Sequence, residues 1–306
     1  MLYRDFGKTG WQVGTVGLGT WNIGNQWGVV DEETAFATVR AAFDAGMNLF
    51  DTAESYGLPN GLSEERLGRA LTGIRHRVYL GSKIGNWVKR TGGGMPKDTV
   101  DQIRICAHAS LHRLRTDWHD VLLCHEGDLE DPTVYLEGFA ALVAEGRLRY
   151  YGISTNSLEV LKNFNRDGNC AVVQVDYSLL NRQAEEAFLP YCEQEGIAVM
   201  VRGPLAKGLL SGRYDLDSVF ADDVRAGFNR DQGQRAAYEA QVAQVAKLSE
   251  VVAPGAEMVE KALQYALSHP ARPVVIPGAK SPTQAGANAA AGGAELSMEE
   301  CERLRI

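Results

Sequence analysis

Short apolar runs alternate with longer segments of helical periodicity along most of the chain. Each run is bordered by Gly, Asn or Asp residues, which is typical of a buried strand that ends in a loop. Eight runs have this character, at positions 16–20, 47–51, 78–82, 121–124, 150–153, 172–175, 198–202 and 274–276. Strands that alternate with helices form parallel sheets, and eight such units suffice to close a barrel. The pattern therefore predicts an α/β fold, a (β/α)8 TIM barrel, with residues 1–306 in one domain.

The helices between these runs have recognisable beginnings and apolar stripes. In the first helix, Asp31, Glu32 and Glu33 place negative charge at the amino end, where it interacts favourably with the helix dipole. Gly46 is predicted to end that helix. Further helices are predicted at about 62–72, 98–115, 132–145, 184–195, 233–251 and 257–268, and the stretch 285–294 as a helix with its trailing loop.

Two segments lie outside the repeating units. Residues 3–11 place Gly residues between short alternating runs, which predicts a β-hairpin. We expect this N-terminal hairpin to cap the barrel floor. Residues 203–232 are rich in Gly, Asp and Arg and have little periodicity, so they are predicted to form a long loop after the seventh strand. Long loops in compact domains are often functional.

Composition and charge narrow the class of protein. No stretch approaches the roughly 20 apolar residues that cross a bilayer, and the amino terminus lacks the features of a secretory signal. We therefore expect a cytoplasmic protein without a membrane partner. Five widely spaced cysteines predict reduced thiols and no metal cluster. A formal net charge of −8 disfavours nucleic acid as a partner, so a small molecule is expected, and the oligomeric state is left open.

Polar residues follow the predicted strands at their carboxyl ends, where a parallel barrel builds its active site. They are Trp21, Asp51, Tyr56, Lys83, His125, Ser154, Gln174, Arg202 and Lys280. Taken singly, Tyr56 fits a half-buried surface tyrosine and His125 fits a core histidine. An Asp51–Lys83 pair alone fits a structural ion pair. Together, in this order along the strands, the four residues favour a catalytic site.

The segments that carry these residues resemble motifs of the aldo-keto reductase superfamily, and the resemblance covers nearly the whole chain. They are Phe50-Asp51-Thr52-Ala53-Glu54-Ser55-Tyr56-Gly57, Gly81-Ser82-Lys83-Ile84-Gly85 and Leu122-Leu123-Cys124-His125, flanked by Gly17-Leu18-Gly19-Thr20-Trp21 and Ile276-Pro277-Gly278-Ala279-Lys280. The resemblance implies a bacterial-type, NAD(P)H-dependent oxidoreductase that reduces an aldehyde or ketone to an alcohol. Its catalytic tetrad would be Asp51, Tyr56, Lys83 and His125.

The implied chemistry explains these residue types. Hydride addition to a carbonyl leaves negative charge on oxygen, so a positioned donor must supply a proton. Tyr56 would be this general acid/base, and a Lys83 ammonium would stabilise its phenolate. Asp51 would keep Lys83 charged, because a buried ammonium without a partner is costly. His125 would orient the substrate oxygen.

No G-x-G-x-x-G motif follows an early strand, so the dinucleotide fingerprint of the doubly wound fold is absent. The resemblance implies instead that the cofactor lies across the ends of strands five to eight. The resemblance implies these cofactor residues: Gly19, Thr20, Trp21, Asp51, Ser154, Thr155, Gln174, Arg202, Gly203, Pro204, Leu205, Lys207, Gly208, Arg213, Gly278, Lys280, Gln284 and Asn288. The segment Ser154-Thr155-Asn156 and Gln174 match positions that grip the nicotinamide carboxamide, and Thr155 stands where Asn is more usual. Arg202 replaces an aromatic residue and is predicted to stack on the nicotinamide, with a phosphate contact as the alternative.

The resemblance also bears on cofactor choice. Lys280 would pair with the 2′-phosphate of the adenosine ribose, which favours NADP (NADPH). Gln284 stands where many NADP-preferring relatives carry Arg, so NAD is kept as an alternative.

The substrate pocket is expected to be lined by Trp21, Tyr56, Trp87, His125 and Glu126. Many relatives carry a bulky Trp where Glu126 stands. A more open, more acidic mouth and a hydroxylated or sugar-like substrate are therefore expected, the alternative being that Glu126 and Asp128 face water. A nucleotide-binding regulatory or redox-sensing subunit with the same barrel is the alternative function, although the sequence shows no interaction segment beside the barrel. A barrel hydrolase or isomerase would need a phosphate or metal site that the sequence does not show.

Overall fold

Eight parallel strands form the centre of the computed structural model, which describes residues 1–87 and 95–305. Two further strands, β1 (Tyr3–Asp5) and β2 (Gln12–Gly14), form a separate hairpin. The eight strands of the parallel sheet are β3 (Leu18–Gly19), β4 (Leu49–Asp51), β5 (Tyr79–Ile84), β6 (His119–Cys124), β7 (Leu148–Ser154), β8 (Val172–Asp176), β9 (Ala198–Arg202) and β10 (Val274–Val275). The helices are α1 (Glu32–Asp44), α2 (Leu62–Ala70), α3 (Val100–Leu114), α4 (Thr133–Ala144), α5 (Leu158–Phe164), α6 (Phe188–Gln194), α7 (Arg235–Leu248), α8 (Ala256–Leu267), α9 (Pro282–Ala291) and α10 (Met298–Leu304).

The sheet closes on itself. Strands β3 to β10 are neighbours in chain order, and every pair is parallel. Two parallel bridges join the ends of the sheet, from Val16 to Val275 and from Gly19 to Gly278. The second requires a glycine, because a Cβ on Gly19 would lie 2.6 Å from the carbonyl oxygen of Ile276. The predicted TIM barrel is confirmed.

The amino-terminal hairpin caps the barrel floor, as predicted. Strands β1 and β2 pair in antiparallel fashion, and Phe6 and Val13 are buried in the barrel interior. The ring of Trp11 stacks on Tyr79 at the beginning of β5, with the ring centroids 4.4 Å apart. The interior residues that they join are Leu49, Val121, Leu123, Ala171, Val172, Ala198, Met200, Val274 and Ile276. The floor is therefore apolar and closed.

Three helices differ from the sequence prediction. Helices α5 and α10 were not predicted, and α9 begins before the Ala/Gly-rich stretch. Each depends on an N-cap: Ser157 caps α5, Ser297 and Glu300 form a capping box on α10, and Ser281 caps α9 ahead of a proline. The caps satisfy backbone N–H groups at the helix start. In helices of seven residues, a cap and tertiary packing matter more than an apolar stripe.

The long loop predicted at 203–232 carries a small core of its own. The Arg225 guanidinium donates to the carboxylate of Asp222 at 2.7 Å and to the Tyr214 hydroxyl at 2.8 Å. It also lies over the ring of Phe220, 4.7 Å from the centroid. The same guanidinium is 5.7 Å from the Trp27 ring in the loop after β3. Arg225 thereby connects the loop after β9 to the loop after β3.

In the part of the chain that the structure describes, no helix is long and apolar enough to cross a membrane.

We predict that Phe6→Ala destabilises the protein by about 3–5 kcal/mol, because it removes a buried ring from the floor and leaves a cavity. Phe6 is 1% exposed. Leu2→Ala is the matched control, since Leu2 is 44% exposed beside the same hairpin, and it should cost less than about 1 kcal/mol. Denaturant unfolding measures both values. Equal effects of the two substitutions would contradict the capping role.

We also predict that His119 makes stability depend on pH. His119 begins β6, is fully buried, and has its Nε2 atom 3.4 Å from the Ala107 carbonyl oxygen. Burial lowers the pKa of His119 to about 3, from 6.5. Below pH 6.5 the unfolded chain binds a proton that the folded chain does not. Stability is therefore lost as the pH falls toward 3, by about 1.4 kcal/mol per pH unit.

The substitution His119→Phe should remove this dependence. The free energy of unfolding at pH 8 minus that at pH 5 should be about 2 kcal/mol smaller in the variant than in the unmodified protein. His76→Gln, at an exposed position, should leave the difference unchanged. If His119→Phe also leaves it unchanged, the buried neutral imidazole is not its source.

Candidate active site

Lys83 is a fully buried charge at the barrel mouth. It lies near the carboxyl end of β5 and has no exposed surface. Its ammonium donates to the Asp51 carboxylate at 2.7 Å and to the Thr52 carbonyl at 2.8 Å. The third contact, at 3.2 Å, is to the phenol oxygen of Tyr56. All three ammonium hydrogens therefore have an acceptor within the protein.

Asp51 is the last residue of β4, and its carboxylate forms an ion pair with the Lys83 ammonium. Its second oxygen accepts a hydrogen bond of 3.0 Å from the side-chain amide of Gln174 on β8. Burial favours the neutral amine of Lys83, but the Asp51 carboxylate and the Tyr56 oxygen outweigh burial and raise the pKa of Lys83 above its usual value. Lys83 is therefore an ammonium ion at neutral pH.

Tyr56 is held between two rings. Trp21 stacks on it with centroids 5.4 Å apart, and the His125 ring meets it edge-on at 6.0 Å. Because the phenol oxygen accepts from Lys83, the phenol proton is directed away from the lysine. The structure thus brings together the four residues predicted as the tetrad.

Gln26 is a residue of this site that the sequence did not indicate. It is 3% exposed, and its side-chain oxygen accepts from the Trp21 indole at 2.5 Å and from the Gly57 amide at 2.9 Å. It therefore fixes the loop after β3 against the segment that carries Tyr56. A single glutamine in a loop gives no sequence signal for such a role.

The other cofactor residues predicted at β3 lie beside the tetrad. Thr20 is fully buried, and its hydroxyl donates to the Asp51 carbonyl at 2.9 Å. Gly19 forms the bridge that closes the barrel. Both residues support the position of Asp51.

An open cleft of about 380 Å³ lies across the ends of β7 and β9, and three of the predicted cofactor residues line it: Ser154, Thr155 and Arg202. The Thr155 hydroxyl donates to the Gly127 carbonyl at 2.6 Å. The Arg202 guanidinium donates to the Asn156 side chain at 2.9 Å. Asn156, which belongs to the segment expected to hold the nicotinamide carboxamide, therefore also holds Arg202 at the cleft.

The loop after β9 leaves the strand in left-handed turns. Gly203, Lys207 and Gly208 have φ values of 64°, 56° and 92°, with Pro204 and Leu205 between them. Lys207 is exposed, and its ammonium lies 4.7 Å from the centroid of Phe228. Arg213 follows in the same loop, beside the N-cap glycine of α8. The predicted loop residues thus form one continuous stretch beside the cleft edge.

The segment after β10, which is the last one predicted to bind the cofactor, lies against the loop after β3. The Lys280 ammonium donates to the Trp27 carbonyl. The Lys280 backbone amide donates to the Gln284 side chain at 2.8 Å, and the Asn288 side chain donates to the Gly278 carbonyl at 3.3 Å. Gln284 and Asn288 therefore shape the loop that presents Lys280.

Trp87 and Glu126 complete the set predicted from the sequence. The Arg113 guanidinium lies over the Trp87 ring, 4.9 Å from its centroid, and also binds the buried Glu64 at 2.6 Å. A role of Trp87 in the substrate pocket stays a prediction. Glu126 accepts a hydrogen bond of 2.5 Å from the Tyr135 hydroxyl, so it does not simply face water.

The cationic groups of the mouth suit an anionic nucleotide. Burial lowers the pKa of Lys207 and of Lys280, and neighbouring carboxylates only partly oppose this effect. Ammonium groups with incomplete pairing are a donor set that phosphate oxygens would satisfy. Within residues 1–87 and 95–305, no group of three or more His, Cys, Asp or Glu side chains is arranged to hold a metal ion.

The chain is similar to known oxidoreductases over nearly its whole length. A model of the aldo/keto reductase family matches residues 15–306. An uncharacterized oxidoreductase of Bacillus subtilis, YqkF, is 34% identical over 308 residues, covering 100% of this chain and 96% of its own. The holo form of the aldo-keto reductase AKR11C1 from Bacillus halodurans superimposes with a TM-score of 0.82 at 31% identity, covering 100% of this chain and 95% of its own.

A second solved structure has the same fold. It is an aldo/keto reductase from Klebsiella pneumoniae in complex with NADP and acetate, with a TM-score of 0.68 and 30% identity over 99% of this chain and 94% of its own. The family match spans nearly the whole chain, and the three proteins named above are 30–34% identical to it. The chain therefore belongs to the aldo/keto reductase family of oxidoreductases.

Proposed function

We propose that the protein is an NADP(H)-dependent reductase that interconverts small aldehydes or ketones and their alcohols, with Tyr56 as general acid/base. The observation that carries this proposal is the fully buried Lys83 ammonium, 3.2 Å from the Tyr56 oxygen and 2.7 Å from the Asp51 carboxylate. An ion pair that only stabilised the fold would not require a phenol oxygen beside its ammonium, between the rings of Trp21 and His125. The complex of the Klebsiella relative with NADP supports the choice of cofactor.

The cofactor would lie across the mouth from β7 to the loop after β10. When bound, NADPH supplies the hydride for the carbonyl carbon. Ser154 and Gln174 would hold the nicotinamide end, with Thr155 and Arg202 beside them. Lys207, Gly208 and Arg213 would face the pyrophosphate, and Lys280 would face the 2′-phosphate, because these cations are where negative charge is best stabilised.

The protein's own groups move the proton. His125 would donate a hydrogen bond to the substrate oxygen and hold it toward Tyr56. Tyr56 would give that oxygen its proton as negative charge develops there. The remaining phenolate would be stabilised by the Lys83 ammonium at 3.2 Å, which Asp51 keeps charged. In the reverse direction, the phenolate would take a proton from an alcohol.

The surrounding rings would exclude water from this step. Trp27 meets Trp21 edge-on with centroids 5.1 Å apart, and Trp21 covers one face of Tyr56. Apolar walls of this kind strengthen the electrostatic interactions inside a site. The five cysteines are free thiols, which suits the reducing cytoplasm that we propose as the compartment.

We predict that Tyr56→Phe lowers kcat for NADPH-dependent reduction of aldehydes by about 10²–10⁴-fold, the usual contribution of a positioned general acid. NADPH binding should change little, because the variant keeps the ring. Loss of NADPH absorbance measures turnover, and fluorescence titration measures binding. Tyr79→Phe, at the barrel floor, is the control and should keep its activity. Full activity of Tyr56→Phe would show that another group supplies the proton.

We predict that Lys280→Met weakens NADPH binding about tenfold, the loss expected for one charge-assisted phosphate contact. NADH binding should change by less than about twofold, since NADH lacks the 2′-phosphate. Lys247→Met, at an exposed position on α7, is the matched control. Fluorescence titration with both nucleotides gives the two affinities. An equal loss for NADPH and NADH would place the Lys280 ammonium elsewhere than at the 2′-phosphate.

A further inference from the structure

Glu126 is the acidic residue that directly follows His125 of the tetrad, and its side chain is fixed from another element. Tyr135 on α4 is 1% exposed, and its hydroxyl donates to one oxygen of the Glu126 carboxylate at 2.5 Å. Burial raises the pKa of the Tyr135 phenol, so it keeps the proton that it donates. A buried phenol therefore sets the direction of a half-exposed carboxylate beside the reacting groups.

The turn after β5 leaves room for this contact. Gly85 has a φ of 128°, a conformation that residues with a Cβ rarely adopt. A Cβ there would lie 2.6 Å from the Tyr135 hydroxyl oxygen and 3.0 Å from the Cγ atom of Glu126. Gly85, Tyr135 and Glu126 are thus parts of one packed arrangement, and the carboxylate has little freedom to turn away.

Among the described residues, two acceptor oxygens near His125 have no hydrogen-bond donor. In the part of the chain that the structure describes, no group donates to the second carboxylate oxygen of Glu126, and no cation pairs with it. Asn86 follows Gly85 and donates to the His125 carbonyl at 2.8 Å, while its own side-chain oxygen is buried without a partner. An unsatisfied buried acceptor costs free energy, so a hydrogen-bond donor from an occupant would stabilise this edge.

We propose that Glu126, held in place by Tyr135, and Asn86 form a subsite that accepts hydrogen bonds from a hydroxyl group of the substrate. This inference rests on the proposed carbonyl reduction. Glu126 and Asn86 would be the specificity-determining residues, and Tyr135 a positioning residue. The subsite selects neutral carbonyl compounds that carry a further hydroxyl, and the Glu126 carboxylate disfavours substrates that carry a carboxylate or phosphate of their own.

Three aldehydes test the subsite in steady-state kinetics with NADPH. Propanal and glyceraldehyde have the same carbon chain and differ in hydroxyl groups, whereas succinic semialdehyde carries a carboxylate. The readout is the ratio of kcat/KM for glyceraldehyde to that for propanal, which loss of general activity leaves unaffected. The unmodified protein should give a ratio of at least about ten, the worth of one charged hydrogen bond.

Variants at two positions should change this ratio. Glu126→Ala should lower it about tenfold, mainly through the KM for glyceraldehyde, and Tyr135→Phe should lower it about threefold, because the carboxylate is kept but no longer held. Glu126→Gln keeps the shape of the side chain without its charge. It should raise kcat/KM for succinic semialdehyde about fivefold relative to propanal.

Tyr265→Phe is the matched control. Tyr265 is also a buried tyrosine whose hydroxyl donates to a glutamate, Glu185, at 2.7 Å, and its loss should leave the ratio unchanged. A ratio near one in the unmodified protein would overturn the subsite. So would ratios in both Glu126→Ala and Glu126→Gln that lie within twofold of the unmodified value. Neither result would contradict the proposed carbonyl reduction. A protein that reduces none of the three aldehydes would overturn the proposed function itself and the subsite with it.

Discussion

Burial of the Lys83 ammonium is the constraint on which the rest of the barrel mouth depends. A charged amine removed from water costs several kcal/mol unless paired and hydrogen-bonded partners compensate. Its acceptors come from Asp51 on β4, the Thr52 carbonyl beyond it and Tyr56 in the following loop. Gln174 reaches Asp51 from β8, across the barrel. Closure of the sheet is therefore what keeps the charge satisfied.

The two ends of the barrel solve opposite problems with different side chains. At the floor, the hairpin fills the interior with Phe6 and Val13, and its buried Arg4 donates to the Leu267 and Pro273 carbonyl oxygens and to Glu295. At the mouth, the loop after β9 has its own aromatic core, and Arg225 in that loop faces Trp27. The Lys280 ammonium contacts the loop after β3, which carries Trp27, by donating to the Trp27 carbonyl. The mouth thus has an ordered rim around a polar site, supported by a closed apolar floor.

The sequence predicts most of the barrel, because apolar runs mark the strands and chain order fixes which strand ends converge. Asp51, Lys83 and His125 are predictable for that reason. Gln26 and the contact of Tyr135 with Glu126 are not, because they depend on side chains from different elements that meet only in the folded chain. Boundaries set by caps, as in α5 and α10, are likewise local features that periodicity does not show.

The departures from the usual family pattern are physically connected. Thr155, where Asn is more usual, donates to the Gly127 carbonyl in the loop that also carries Glu126. The neighbouring Asn156 binds Arg202, the residue that replaces an aromatic side chain. Thr155 and Arg202 therefore line one cleft with Gly127, next to Glu126. These contacts join the residues at the end of β7 to Arg202 on β9 and to the loop that carries Glu126, between the proposed nicotinamide and substrate sites.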